Sequence, residues 1–188
     1  MAVSDAAADS AGVEEEDDLR AADGRVPGRR GLATRKKLLD CTLAMLENHS
    51  YRDLKVVDIA REASTSPATF YQYFPDVEAA ILALAEEMAN AGNTRLTLIV
   101  QTGTWRGSAG YETATAIASA YIEFWDDNWP LMRVIDLTAE EGDQRFRSIR
   151  TRLLNEFTVA LSEVISAEVA AGRQPAEQRA TREAGRSL

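Results

Sequence analysis

The apolar positions of this chain recur at helical spacing and nowhere alternate as a strand would. Leu39, Leu43 and Leu46 fall at i, i+4, i+7, which predicts a helix over Leu32–Asn48, with Thr34 as a possible start signal. A connector from Tyr51 to Leu54 follows. Val56, Ile59, Ala60 and Ala63 then predict a short second helix, broken at Ser64 and Thr65. Ser66-Pro67 opens a third: serine accepts a bond from an orphan amide at the N-cap, and proline at the first helical position loses none. Phe70 and Phe74 form its inner side and Pro75 ends it. Asp76 caps a long helix from Val77 to about Val100.

Farther on, Gln101 to Gly110 reads as a loop and Tyr111 to Asn128 as a helix. Pro130 restarts a short helix, Leu131 to Thr138. Asp143 to Ala171 reads as one last long helix with Phe146, Ile149, Leu153, Leu154, Phe157, Leu161 and Ile165 inward, ended by Gly172. The fold class is therefore all-α.

Charge adds organisation. The net charge is −9, but residues 1–24 contribute −7, residues 25–76 contribute +3 and residues 77–188 contribute −5. The first 24 residues have almost no large apolar side chains and cannot offset their ordering entropy, so residues 1–30 are expected to be a disordered acidic tail and a basic linker. The basic stretch 25–76 contains the next unit, residues 31–76; residues 77–172 form a helical body and residues 173–188 a polar tail. Cys41 and His49 are each the only residue of their type, so neither a disulfide within the chain nor a metal site is expected. No apolar run reaches the ~18 residues of a membrane span, and the acidic N-terminus does not read as a signal peptide. The expectation is a soluble, cytoplasmic protein that is not an enzyme and needs no cofactor: no phosphate-cradling glycine loop, metal spacing or positioned nucleophile occurs.

Three helices in about 45 residues, the third short, capped and aromatic, make a unit suited to the major groove of DNA. The run from Lys55 to Pro75, KVVDIAREASTSPATFYQYFP, resembles the headpiece signature of the tetracycline-repressor (TetR) family, and Arg35 to Asp40, RKKLLD, is similar to that family's first helix. The resemblance implies a helix-turn-helix headpiece followed by a ligand-binding and dimerisation body. By position it implies that Ser66, Pro67, Ala68 and Thr69 sit at the groove, with Thr65 and Gln72 as base readers. Tyr71 and Tyr73 would touch the DNA backbone, as would Lys55. Arg29, Arg30 and Arg35 would grip the flanking backbone or an adjacent minor groove. Three positions depart from the family pattern. Ser64 replaces the usual turn glycine, which requires a serine at positive φ. Thr65 replaces an apolar residue, and Val77 stands where many relatives carry a phosphate-binding lysine.

For the body, the resemblance implies a small-molecule effector whose pocket is lined by Trp105, Tyr121, Phe124, Trp125, Trp129 and Met132, with Glu123, Asp126 or Asp127 available to a polar or cationic group. It also implies a homodimer. The family's last two helices have no counterpart in the polar run Arg173 to Ser187, so the expectation is a truncated or frame-shifted chain that dimerises poorly. The function implied is a DNA-binding transcriptional regulator, a repressor released by its ligand. The rival is a helical interaction protein that does not bind DNA, or a truncated, dimerisation-defective regulator.

Overall fold

A computed structural model describes residues 28–153 and 155–172. The expectations for residues 1–27 and for the tail 173–188 lie outside the described residues. Every regular element among the described residues is helical: α1 (Arg29–Leu46), a 3-10 turn (Tyr51–Asp53), α2 (Val56–Glu62), α3 (Pro67–Tyr73), α4 (Val77–Thr102), α5 (Gly107–Glu140), α6 (Gln144–Arg152) and α7 (Asn155–Ala170).

Two compact units divide the chain, each built from non-contiguous segments. The first comprises residues 28–88 and 128–150. It contains α1 to α3, the start of α4, the end of α5 and most of α6. Here α1 packs on α2 and α3, and α2 on α3. Its core holds Leu38, Leu39, Leu46, Ile59, Phe70 and Phe74 of the first three helices, with Ile81, Leu131, Ile135, Phe146 and Ile149 of the later ones. Polar links at its surface connect distant segments. The Tyr51 hydroxyl donates to Glu141 Oε2 at 3.0 Å, and Arg52 pairs with the same carboxylate. Arg145 pairs with Asp143 at 2.7 Å and reaches Glu78 at 3.4 Å. Hydrogen bonds from Arg52 and then Tyr51 hold the Glu141 carboxyl below the usual glutamate range. The Arg145 side chain does the same to Asp143.

The second unit comprises residues 89–127 and 151–172. Leu96 and Val100 of α4, Ala120 and Phe124 of α5, and Ala160 of α7 are buried in it. Gly92 is required by close packing: a Cβ there would lie 2.6 Å from Phe124 Cε2.

Several expectations from periodicity are corrected. α1 starts at Arg29 behind Gly28, and the Thr34 hydroxyl donates to the Arg30 carbonyl inside the helix instead of capping it. The loop before α5 shrinks to residues 103–106. α5 runs unbroken through Pro130. A proline inside a helix removes one donor and crowds one carbonyl, and a 34-residue helix with buried residues on either side tolerates that local loss. The last long helix is two, because Arg152 ends α6 and Asn155 begins α7. Finally, Ile165 is 53% exposed and not in the core.

Candidate nucleic-acid interface

The third helix is set by local chemistry that its sequence spells out. Ser66 takes extended backbone angles and its Oγ accepts the Thr69 amide at 3.1 Å, with Pro67 in the first turn. The two hydroxyls lie 3.0 Å apart, so Ser66 and Thr69 also share a hydrogen bond. Behind them Phe70 is fully buried, its ring centroid 5.6 Å from that of Phe74 and 6.0 Å from that of Tyr71. Phe70 and Phe74 thus form the buried side of α3, which packs on α1 and α2.

The turn that delivers the chain to α3 is a Schellman ending of α2. The Thr65 amide donates to the Ala60 carbonyl at 2.8 Å and the Ser64 amide to the Arg61 carbonyl at 2.9 Å. Ser64, whose own amide makes the second of these bonds, has φ of 54°, as the replacement of a glycine there requires. The serine is accommodated, with steric strain from its Cβ.

With the inner face so committed, the outer face is open. Ser66, Pro67, Ala68 and Gln72 are exposed, Tyr71 is 52% exposed, and Thr65, Thr69 and Tyr73 are half-buried. All of these residues lie together around the start and outer side of α3. Lys55 is the exposed N-cap residue of α2, and Arg29 and Arg30 open α1.

Charge pairing sorts the cations of this unit. Arg35 pairs with Glu87, Lys36 with Asp40, Arg52 with Glu141 and Arg61 with Asp58. Among the described residues, Arg29, Arg30, Lys37 and Lys55 have no carboxylate in reach. Lys37 is not among the contacts expected from sequence, although the i, i+4 spacing of Lys36 and Asp40 signals which neighbour is paired.

Arg35 is placed differently from the phosphate contact expected. It is 8% exposed and shares the buried stripe of Leu38, Leu39 and Thr42. Its Nη1 lies 2.8 Å from Glu87 Oε1 on α4, and its guanidinium sits 5.4 Å from the Phe74 ring centroid. It braces the aromatic core behind α3 and has little surface to offer a phosphate. Val77 borders a cleft of about 640 Å³ with Arg52, Asp76, Glu78 and Glu141, an acidic setting unlike a phosphate site.

The six aromatic and methionine residues expected to line an effector pocket are not brought together in one unit. Trp105, Tyr121, Phe124 and Trp125 belong to the second unit, Trp129 and Met132 to the first. Trp105 Nε1 donates to the Val100 carbonyl at 3.1 Å. The rings of Tyr121 and Trp125 stack at 6.5 Å, and Phe124 is buried against Gly92. Trp129 is 51% exposed and Met132 is core. Glu123 is already paired with Arg95. No group of metal-ligating side chains occurs among the described residues, and no helix there is long and apolar enough to cross a membrane.

Comparison with known proteins gives a consistent picture. Residues 38–87 match the family model described as bacterial regulatory proteins, tetR family. Residues 96–188 match that described as tetracyclin repressor-like, C-terminal domain. A Haemophilus influenzae protein described as an uncharacterized HTH-type transcriptional regulator is 26% identical over 134 residues. That alignment covers 71% of this chain and 63% of the relative, so the chain spans under two thirds of the relative's length. Among solved structures, the fatty acid degradation regulator FadR from Bacillus halodurans superposes with a TM-score of 0.60 at 17% identity, covering 81% of this chain and 75% of that one. FadR from Bacillus subtilis, in complex with stearoyl-CoA, gives 0.58 at 16% identity, covering 74% and 73%. At such identities the two structures are similar in fold.

Proposed function

Since this chain belongs to the TetR family of transcriptional regulators, which are not enzymes, we propose that it binds double-stranded DNA sequence-specifically and acts as a repressor released by a small-molecule effector. The observation that carries this reading is the division of α3 into two faces. Phe70 and Phe74 anchor one; Ser66, Pro67, Ala68 and Gln72 are left open on the other. A helix so presented enters a major groove, and its small N-terminal residues allow close approach.

In this reading Gln72 and Thr65 read base edges. Ser66, Pro67, Ala68 and Thr69 line the groove, and Tyr71 and Tyr73 reach backbone. Arg29, Arg30 and Lys55 meet phosphate, and Lys37 joins them as a fourth uncompensated cation. Arg35 acts through Phe74 and Glu87 as a positioning residue. The effector is an apolar small molecule held in the body, for which Tyr121, Phe124 and Trp125 are the nearest aromatic group. Against the poor dimerisation expected from the polar run 173–187, the match to the family's C-terminal domain extends through residue 188, and in this reading two half-sites are read by a homodimer. Val159 and Ile165 of α7, each about half exposed, supply apolar area for it within the second unit.

Selection of bound sequences from a random duplex pool, followed by titration at several salt concentrations, tests the reading. Enrichment of a two-fold symmetric site supports it. Failure to bind any duplex at low salt refutes it and favours the helical interaction protein. Sedimentation at micromolar concentration tests the dimer, and a monomer at every concentration contradicts it.

A further inference from the structure

The second unit contains two buried polar atoms that no described residue satisfies. Asn93 is 2% exposed; its Nδ2 donates to the Arg152 carbonyl at 3.1 Å, but its Oδ1 accepts no hydrogen bond. One turn on, the Thr97 hydroxyl oxygen is also buried with no partner. Asn93 lies on a buried face of α4 that is otherwise apolar, and Thr97 follows it by four residues. Ala89, Asn93, Leu96 and Val100 recur at i, i+4, i+7, i+11 and all are buried.

The Thr97 hydroxyl is unusual for this protein. Helical hydroxyls normally return to the carbonyl one turn back. Thr94 does so to Asn90, Thr102 to Leu98, Thr115 to Tyr111, Thr138 to Val134 and Ser162 to Thr158. Thr97 forgoes that bond. An unpaired buried polar atom costs stability, so each one in a native structure calls for a cause, such as a bound water or ion, local strain or a functional role. Two such atoms, one helical turn apart, form a donor–acceptor pair: Asn93 Oδ1 can only accept, whereas the Thr97 hydroxyl can also donate.

We infer that Asn93 and Thr97 form the polar anchor of a ligand site in this unit, and that the site takes a neutral, largely apolar molecule bearing an alcohol or amide group. The inference deepens the effector reading above and rests on it for its biological role. An amide fits most fully: its N–H meets Asn93 Oδ1 and its carbonyl accepts from Thr97. An alcohol supplies one donor and one acceptor on a single atom. A carboxylate has no proton to give Asn93 Oδ1, and the neighbouring cation Arg95 is already paired with Glu123. The surrounding apolar residues suit an aliphatic or aromatic remainder.

Thermal melting of the full chain tests the anchor without using DNA. The probes are octanamide, 1-octanol, octanoate and octane, and the variants are Thr97→Val and Thr97→Ser. Octanamide and 1-octanol are expected to raise the melting midpoint of the parent and of Thr97→Ser progressively with the logarithm of concentration above Kd, with octanoate and octane giving smaller shifts. Thr97→Val should lose the response. Because it removes an unsatisfied hydroxyl, it should also melt about 2–4 °C above the parent without ligand. A lowered midpoint for unliganded Thr97→Val overturns the inference, since the hydroxyl is then satisfied by a buried water. So does the absence of any shift with the amide and alcohol, or an equal shift in Thr97→Val. If the probes bind through Thr97 but leave DNA affinity unchanged, the anchor stands and the effector reading fails.

Discussion

Replacing Ser64 by glycine should stabilise the protein without altering what its recognition helix reads. Ser64 sits at φ of 54°, within the pair of hydrogen bonds that closes the end of α2. For an L-residue this left-handed conformation costs roughly 1–2 kcal/mol, because Cβ crowds the carbonyl. Glycine escapes that cost but gives the unfolded chain more freedom, which returns about 0.4–1 kcal/mol. The difference is a net stabilisation on the order of 0.5–1 kcal/mol. For a chain of this size that raises the melting midpoint by about 1–4 °C. Ser64 is exposed and makes no side-chain bond among the described residues, so no lost contact offsets the gain. The measurement is urea unfolding followed by far-UV circular dichroism, with Ser64→Ala and Ser64→Val as companions. Alanine should be near neutral because it keeps the Cβ, and valine should destabilise because a branched Cβ is worse at positive φ. A glycine variant no more stable than the alanine variant would show that the turn is not strained, and the argument from backbone angles would fall.

Other expectations follow from the same structure. Glu141 has its folded pKa depressed below its ordinary 4.5, first by the Arg52 hydrogen bond and then by Tyr51. The stability it contributes is therefore complete above about that pH and disappears as pH falls through the depressed value, so Glu141→Gln should flatten this part of the pH–stability profile, and parallel profiles would refute the link. Lys55→Gln should weaken binding to all duplexes alike and reduce the salt slope by up to ~0.9, whereas Gln72→Ala should change sequence preference at a cost of about 1–3 kcal/mol on the preferred site. Arg35→Gln should lower stability and DNA affinity together yet leave the salt slope unchanged, and a reduced slope would return Arg35 to the phosphate contacts. Deleting residues 1–24, which carry −7, should tighten binding to random duplex at low salt and have little effect at high salt; equal affinities at low salt would exclude competition between this segment and DNA.

Local chemistry makes much of the headpiece legible in the amino-acid sequence alone. Ser66 with Pro67 announces the start of α3, and Asp76 the start of α4, because a cap bonds residues only three positions away; Asp76 Oδ1 accepts the Ala79 amide at 2.7 Å. The burial of Phe70 and Phe74 likewise follows from short-range spacing, whereas the positive φ at Ser64 is implied by the resemblance to a family whose turn carries glycine there. What the tertiary structure decided depends on partners far away in sequence. Arg35 lies on the buried stripe of α1, but its role comes from Glu87, 52 residues on, and no local pattern identifies that partner. Pro130 is a local helix-breaking signal overruled by packing along α5, while the division between α6 and α7 interrupts a periodicity that reads as continuous. The grouping of the aromatic side chains is equally hidden, since periodicity shows which residues turn inward on a helix but not which unit they turn toward. Asn93 and Thr97 are the extreme case. Their residue types mark them as ordinary surface polar positions on a helix, and only the burial of α4 makes their oxygens unsatisfied, because whether an atom can reach water is a property of everything packed around it.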